Sequence, residues 1–453
     1  MTITKTEFKI NKDKIIDVIA TVVVAVTLFV LFFIYGVATG NDTHCYETFR
    51  VEVMAEPVYS LFLAIFRLTL GTEVYLYAAV TVQILLAVFG VYYLVSYVAD
   101  EYSVGALFRV AMYLIMLAFY TMPAIFSKTG VLTFISVLTE GIAYPLFMIF
   151  IVFLMKAINN DSAKWWRISL ATSLILSLTR TQLLFTLVMV AIAGIYIGRG
   201  AWIKSTVKVL ISLAVTVLLM KGIQSVFCYS IIGTFAVPPN SISMYGNAML
   251  VAEEGDNVLF EDDSLVKSVF EARYEDMTDN GWGWKFYTGD SFMDAAMFYE
   301  DCYDNIKDHM SMGSYFDDNN ITYGIDKYNI QNATARAMTV KLIPAHLGQW
   351  LYNYLGLCLV GFIRTVAVSP TNILMQIYTI LIYALLIAGI IRNRKNRKVV
   401  LFGLTAVIGV LGQVCETSIT VMCISRYMMY MFPVVYLGII ICWFRRRRNE
   451  NEL

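Results

Sequence analysis

Carboxylates and arginines recur in this chain at the edges of long apolar runs. Asp42, His44, Glu47, Glu52 and Glu56 follow the first run, Glu140 precedes another, Arg180 sits between two, Glu416 ends one and Arg426 opens the last. An ionisable group beside or inside an apolar helix is expensive to desolvate, so it marks a functional site or a pairing partner. A carboxylate can take the proton of an attacking hydroxyl. Arginine stays charged and its planar fork grips two phosphate oxygens. These types together suit a reaction in which a base activates a nucleophile beside cations that hold an anion. Each one alone also has a plainer use, since charged side chains at helix ends reach lipid headgroups.

The elements that must position them follow from composition. The 453 residues are 58% hydrophobic and 15% charged, with mean hydropathy +0.66. A soluble domain carries about 25% charged residues, so this chain cannot wet a soluble surface of its size and reads as an all-α polytopic membrane protein. Its 34 basic and 34 acidic residues balance, which removes the case for nucleic acid as a partner. Taking about 20 apolar residues per crossing gives ten spans: 18–37, 74–98, 110–125, 141–155, 168–179, 183–197, 207–227, 373–391, 399–414 and 427–444. The run 18–37 is too long for a signal peptide's apolar region and is kept as a retained helix.

Basic residues cluster at Lys5, Lys9, Lys12 and Lys14, at Lys156, Lys164 and Arg167, at Arg199, Lys204 and Lys208, at Arg392, Arg394, Lys395, Arg397 and Lys398, and at 445–448. Ten spans put all five clusters on one side, with both termini cytoplasmic in a plasma membrane. The legs of 168–197 then form a hairpin with Arg180 at its outer turn. Residues 236–341 hold nineteen acidic and seven basic residues and fall outside. The run 346–368, which carries Arg364, is expected to lie along the outer interface. The chain thus divides into an N-terminal transmembrane module (1–235) with a first outer loop at 40–72, an acidic extracytoplasmic region (236–345) and a C-terminal part (346–453).

The wording of these segments resembles GT-C glycosyltransferases, which take sugar from polyprenyl-phosphate carriers, and among them the dolichyl-phosphate-mannose-protein mannosyltransferase kind. Asp42-Thr43-His44-Cys45-Tyr46 looks like their Asp-x-x-x-Tyr after the first helix, and Glu56-Pro57-Val58-Tyr59 like the Glu-Pro-x-Tyr entering an interfacial helix that here ends at Leu70-Gly71. Leu138-Thr139-Glu140 is similar to their Thr-Glu-Pro segment with Gly141 in place of Pro, and Leu178-Thr179-Arg180 to their Leu-Thr-Arg-Pro turn without the Pro. Arg426-Tyr427, with Pro433 inside the last helix, looks like their Arg-Tyr-x-x-x-x-x-Pro element. The likeness covers about 15–200 well and the last helices loosely, and 236–341 matches no motif.

The resemblance implies an inverting transfer of a sugar from a polyprenyl-phosphate donor to an extracytoplasmic acceptor, a cell-envelope glycan, lipid or protein. Asp42 would be the general base with Glu56 second, Glu140 an orienting or catalytic carboxylate, and Arg180 and Arg426 the phosphate ligands beside Tyr46, Tyr59 and His44. Inversion needs one base, and a lipid phosphate already leaves well. Lys221, Arg67 and Arg364 are further candidates for the phosphate. An oligosaccharide polymerase or ligase would share the large outer region and the arginines. A flippase or transporter would instead show midplane charges and repeated halves.

Other features claim less. The lipid-linked sugar is a co-substrate; no residue pattern supports a further cofactor, a divalent cation stays open, and the seven cysteines and three histidines show no metal-ligand spacing. Cys45 and Cys302 allow a bridge by location only. Asp262-Asp263 and Asp317-Asp318 read as solvated acidic pairs before cation ligands. Asn280 to Tyr287, rich in aromatics, suits an interface anchor or a sugar platform. Asn41, Asn320 and Asn332 open Asn-x-Thr triplets, which matter only in a eukaryotic secretory pathway.

Overall fold

A computed structural model describes residues 12–49, 56–126, 132–235, 241–308, 313–321 and 325–445. Among these the chain is all helical, without a β-strand. The first half comprises α1 (Lys12–Tyr35), α2 (Asn41–Glu47), α3 (Pro57–Leu70), α4 (Tyr75–Glu101), α5 (Ala106–Phe126), α6 (Glu140–Asn159), α7 (Ala163–Thr179), α8 (Phe185–Ile197) and α9 (Trp202–Ile232). The polar region holds α10 (Ser241–Leu250), α11 (Ser264–Asp279), α12 (Phe292–Asp308), α13 (Gly313–Asp318) and α14 (Ile325–Ala345). The chain closes with α15 (Leu347–Arg364), α16 (Ile373–Arg392), α17 (Arg397–Thr420), α18 (Ser425–Met428) and α19 (Phe432–Phe444).

Among the described residues seven helical stretches are long and apolar enough to cross a membrane: α1, α4, α6, α9 with the turn before it, α16, α17, and 425–444. α6 is central, with 78% of its apolar window buried against 17% for α1, so α6 is enclosed by other helices where α1 is left largely exposed. Gly90 lets α4 approach α6 closely, since a Cβ there would stand 3.1 Å from Pro145. Pro433 opens α19 and does not lie inside one continuous last helix, which is consistent with its lack of a backbone donor.

Side-chain contacts sort the helix ends into two groups. At one end Glu101 pairs with Lys398 at 2.5 Å, and Asp161 with Arg199 at 3.0 Å and Arg397 at 2.6 Å. There too Val104 bridges to Arg445, and the buried Arg109 joins Asp17 at 2.6 Å and Asp100 at 2.7 Å. The opposite end gathers α2, α3, the starts of α6 and α8, and the ends of α7 and α17. Exposed ion pairs contribute at most about 1 kcal/mol each, so the contacts of Asp161 and Glu101 report proximity more than stability.

The polar region is packed and not a loose loop. Tyr245, Phe260, Phe270 and Tyr299 are buried in its interior, α10 rests on α17, and α12 lies along α15. α15 is amphipathic: one face is held by α12 and α17, leaving Leu347, Leu351, Leu355 and Leu359 exposed on the other. No disulfide joins Cys45 to Cys302.

Candidate functional site

The loop after α1 is stitched to the segment before α6. Ala38 N–H donates to Ile135 O (3.0 Å) and Val137 N–H to Ala38 O (2.9 Å). Thr43 Oγ1 continues the stitch, accepting from Gly40 N–H (2.9 Å) and donating to Val137 O (3.1 Å). These bonds hold the first turn of α2 beside the start of α6, although Asp42 and Glu140 are far apart in sequence. Asp42 is half exposed, and its Oδ2 lies 3.5 Å from Arg426 Nη2.

Arg180 leaves α7 in an extended conformation (φ −160°, ψ 119°), which breaks the helix and points the side chain across to α6. Its Nη1 lies 2.6 Å from Glu140 Oε1 and donates to Thr139 Oγ1 (3.0 Å), while Nε donates to Gln182 Oε1 (2.5 Å). Glu140 is 1% exposed, so it depends on this pairing. Arg426 is held less tightly. Its Nε is buried with no hydrogen bond, 3.8 Å from Glu140 Oε1, and Nη2 donates to Tyr427 Oη at 3.0 Å. The Tyr427 ring lies under both guanidinium groups, 4.3 Å from Arg180 and 5.0 Å from Arg426. Tyr144 Oη donates to the Arg426 carbonyl (2.7 Å) and Gln413 Nε2 to that of Tyr427 (2.6 Å), pinning the backbone of α18.

Two carboxylates and two arginines from α2, α6, the α7–α8 turn and α18 thus form one cluster. Arg180 is engaged through Nε and Nη1, whereas Arg426 is 20% exposed and makes only long carboxylate contacts. An anion would find free donor capacity at Arg426. Tyr46, on α2, belongs to the same neighbourhood: burial, then the charges of Asp42 and Glu140, hold its hydroxyl proton more tightly than usual. Compared with known proteins, the chain matches no family model, no curated protein and no solved structure.

The structure does not bring the other expected residues here. Glu56 stands before Pro57 at the start of α3 and faces α9, where Gln224 Nε2 donates to both carboxylate oxygens (3.1 and 2.9 Å). Burial pushes its carboxyl up to about 7, and Gln224 and Lys221 offset only part of that. Tyr59 is fully buried, with its hydroxyl donating to Gln83 Oε1 (2.8 Å), so it supports the fold beneath Tyr46 and is not open to a phosphate. His44 is exposed on α2. Glu47 accepts a short bond from Tyr75, Arg67 donates to Glu47 O (3.2 Å), and Glu52 lies outside the described residues. Glu416 accepts the Phe185 N–H at the start of α8 (2.7 Å).

Arg364, a phosphate candidate by sequence, is committed to Glu300 (2.5 and 3.1 Å). Asp262 pairs with Lys341 (2.6 Å), and Asp263 caps α11 through Val266 N–H (3.1 Å). Trp284 packs its ring on Tyr352 of α15 at 6.0 Å, tying the aromatic segment to the protein itself. Among the described residues no group of three His, Cys, Asp or Glu could hold a metal ion. Tyr427 and Thr139, quoted in the sequence only as motif members, turn out to touch both arginines and Glu140.

Proposed function

We propose that the protein is a GT-C-like membrane glycosyltransferase that moves a sugar from a polyprenyl-phosphate carrier to an acceptor hydroxyl, with inversion. The observation that carries this reading is the 3.5 Å approach of Asp42 to Arg426 within the cluster shared with Arg180 and Glu140. Asp42, half exposed, accepts the acceptor's proton as its oxygen attacks the anomeric carbon. The bond from that carbon to the phosphate oxygen breaks, and Arg426 takes the growing charge on the phosphate. Arg180 and Glu140 hold the frame, and Tyr427 orients both guanidinium groups.

In this reading α5, α7 and α8 complete ten crossings. The end carrying Asp161, Arg397 and Arg445 faces the cytoplasm, and the cluster and the polar region lie outside. Nucleotide sugars are made inside the cell, so an outward site draws on a donor carried in the membrane. The test is donor consumption by purified protein in lipid vesicles given a panel of polyprenyl-phosphate sugars. Asp42→Asn is expected to lower turnover by about a hundredfold or more while the protein remains folded. Near-normal turnover in that variant removes Asp42 from the base role.

A further inference from the structure

We propose that Glu300 and Arg364 are positioning residues that set the Arg426 guanidinium, coupling the packed polar region to the phosphate position. The inference rests on the reading of Arg426 as a phosphate ligand. Arg364 ends α15 and is 6% exposed. Its two terminal nitrogens meet the Glu300 carboxylate of α12 in a paired fork, and Nη1 also donates to the Cys423 carbonyl at 2.9 Å. Cys423 stands three residues before Arg426, in the turn between α17 and α18.

The same turn is held from its other end. Asn353 Nδ2 of α15 donates to Asn247 Oδ1 of α10 (2.8 Å), and Asn247 Nδ2 donates to Ser418 O (3.3 Å), with both asparagines buried. Ser425 Oγ adds a bond to Val368 O at 3.3 Å. Gly361 allows the approach, since a Cβ there would stand 3.2 Å from Met428 Sδ and 3.3 Å from Cys423 Sγ. Residues 418–426 are therefore clamped by polar contacts that originate in α10 and α12.

A buried ion pair adds little net stability over an apolar pair, so its value lies in the geometry it enforces. Arg426 gives that geometry a purpose. Its side chain has only long contacts with Asp42 and Glu140 and is otherwise held by the neighbouring Tyr427, so the backbone of the turn that carries both residues decides where the guanidinium stands. A shift of about 1 Å at such a group can cost up to about a hundredfold in the reaction it serves.

The test uses Glu300→Gln and Arg364→Lys in the full chain, the second keeping the charge while losing the fork. Hydrogen exchange reads residues 418–428 against the Arg180 turn, and binding is measured with a polyprenyl phosphate and with the uncharged polyprenol. Both variants are expected to speed exchange at 418–428 while the Arg180 turn is unchanged, and to weaken polyprenyl phosphate about tenfold with no effect on polyprenol. Unchanged exchange, or equal losses for both lipids, overturns the positioning role. Arg426→Gln serves as the control: if it too leaves polyprenyl phosphate binding intact, the phosphate reading falls and takes this inference with it.

Discussion

Glu56 and Asp42 show how two carboxylates of one loop acquire different lives. Asp42 stays half in solvent beside Arg426, whereas Glu56 is buried with both oxygens accepting from Gln224. The Glu56 carboxyl is raised from 4.5 to about 7, so the folded protein holds its proton more tightly than the unfolded chain does. Its stabilising effect is complete below about pH 4.5 and is lost as pH rises through about 7, a swing of ~3 kcal/mol. Thermal unfolding in detergent should therefore fall between pH 5 and 8, and Glu56→Gln should flatten that slope. An unaltered slope in the variant would assign the pH dependence elsewhere. The acidic residues of the first outer loop were legible in the sequence as a group. Which of them faces Arg426 was not, because that depends on the Ala38 stitch to Ile135 and Val137, a contact between residues about a hundred positions apart with no local signature.

Helices long enough to cross were the most legible elements, since 20 apolar residues report themselves regardless of neighbours. The apolar runs 18–37, 74–98, 141–155, 207–227, 373–391 and 399–414 each fall on one of the long helices. The kinked last segment was less legible. In α15 the exposed leucines recur at helical spacing opposite the face held by α12 and α17, the pattern that the sequence already carried. Gly141 shows what a single position at a helix start can decide. It stands where the resembling motif has Pro, and a Cβ there would come within 2.4 Å of Gln83 Nε2. Gln83 is fully buried and joins the Tyr59 hydroxyl to Ser136 O, so it cannot move without breaking that relay. Gly141→Ala is expected to cost about 1–3 kcal/mol, seen as a lower melting temperature, and Gln83→Ala in the same chain should recover part of it.

At the scale of the whole molecule, the two ends of the bundle are built differently. The cluster end has buried, hydrogen-bonded charges, and the opposite end mostly exposed pairs such as Asp161 with Arg397. The Asp17–Arg109 pair is the exception there, being only 2% exposed on each side. Arg109→Met leaves Asp17 buried without its cation and is expected to cost about 3–5 kcal/mol, read by thermal unfolding. Adding Asp17→Asn should restore most of that loss, and a double variant no better than the single would deny the coupling. The same pair bears on how the chain is made. Asp17 is synthesised 92 residues ahead of Arg109, so the cation it meets in the folded protein does not yet exist when the first helix is made. The buried pair can close only after α5 has been made, so the first helix reaches its final partner later than its own synthesis.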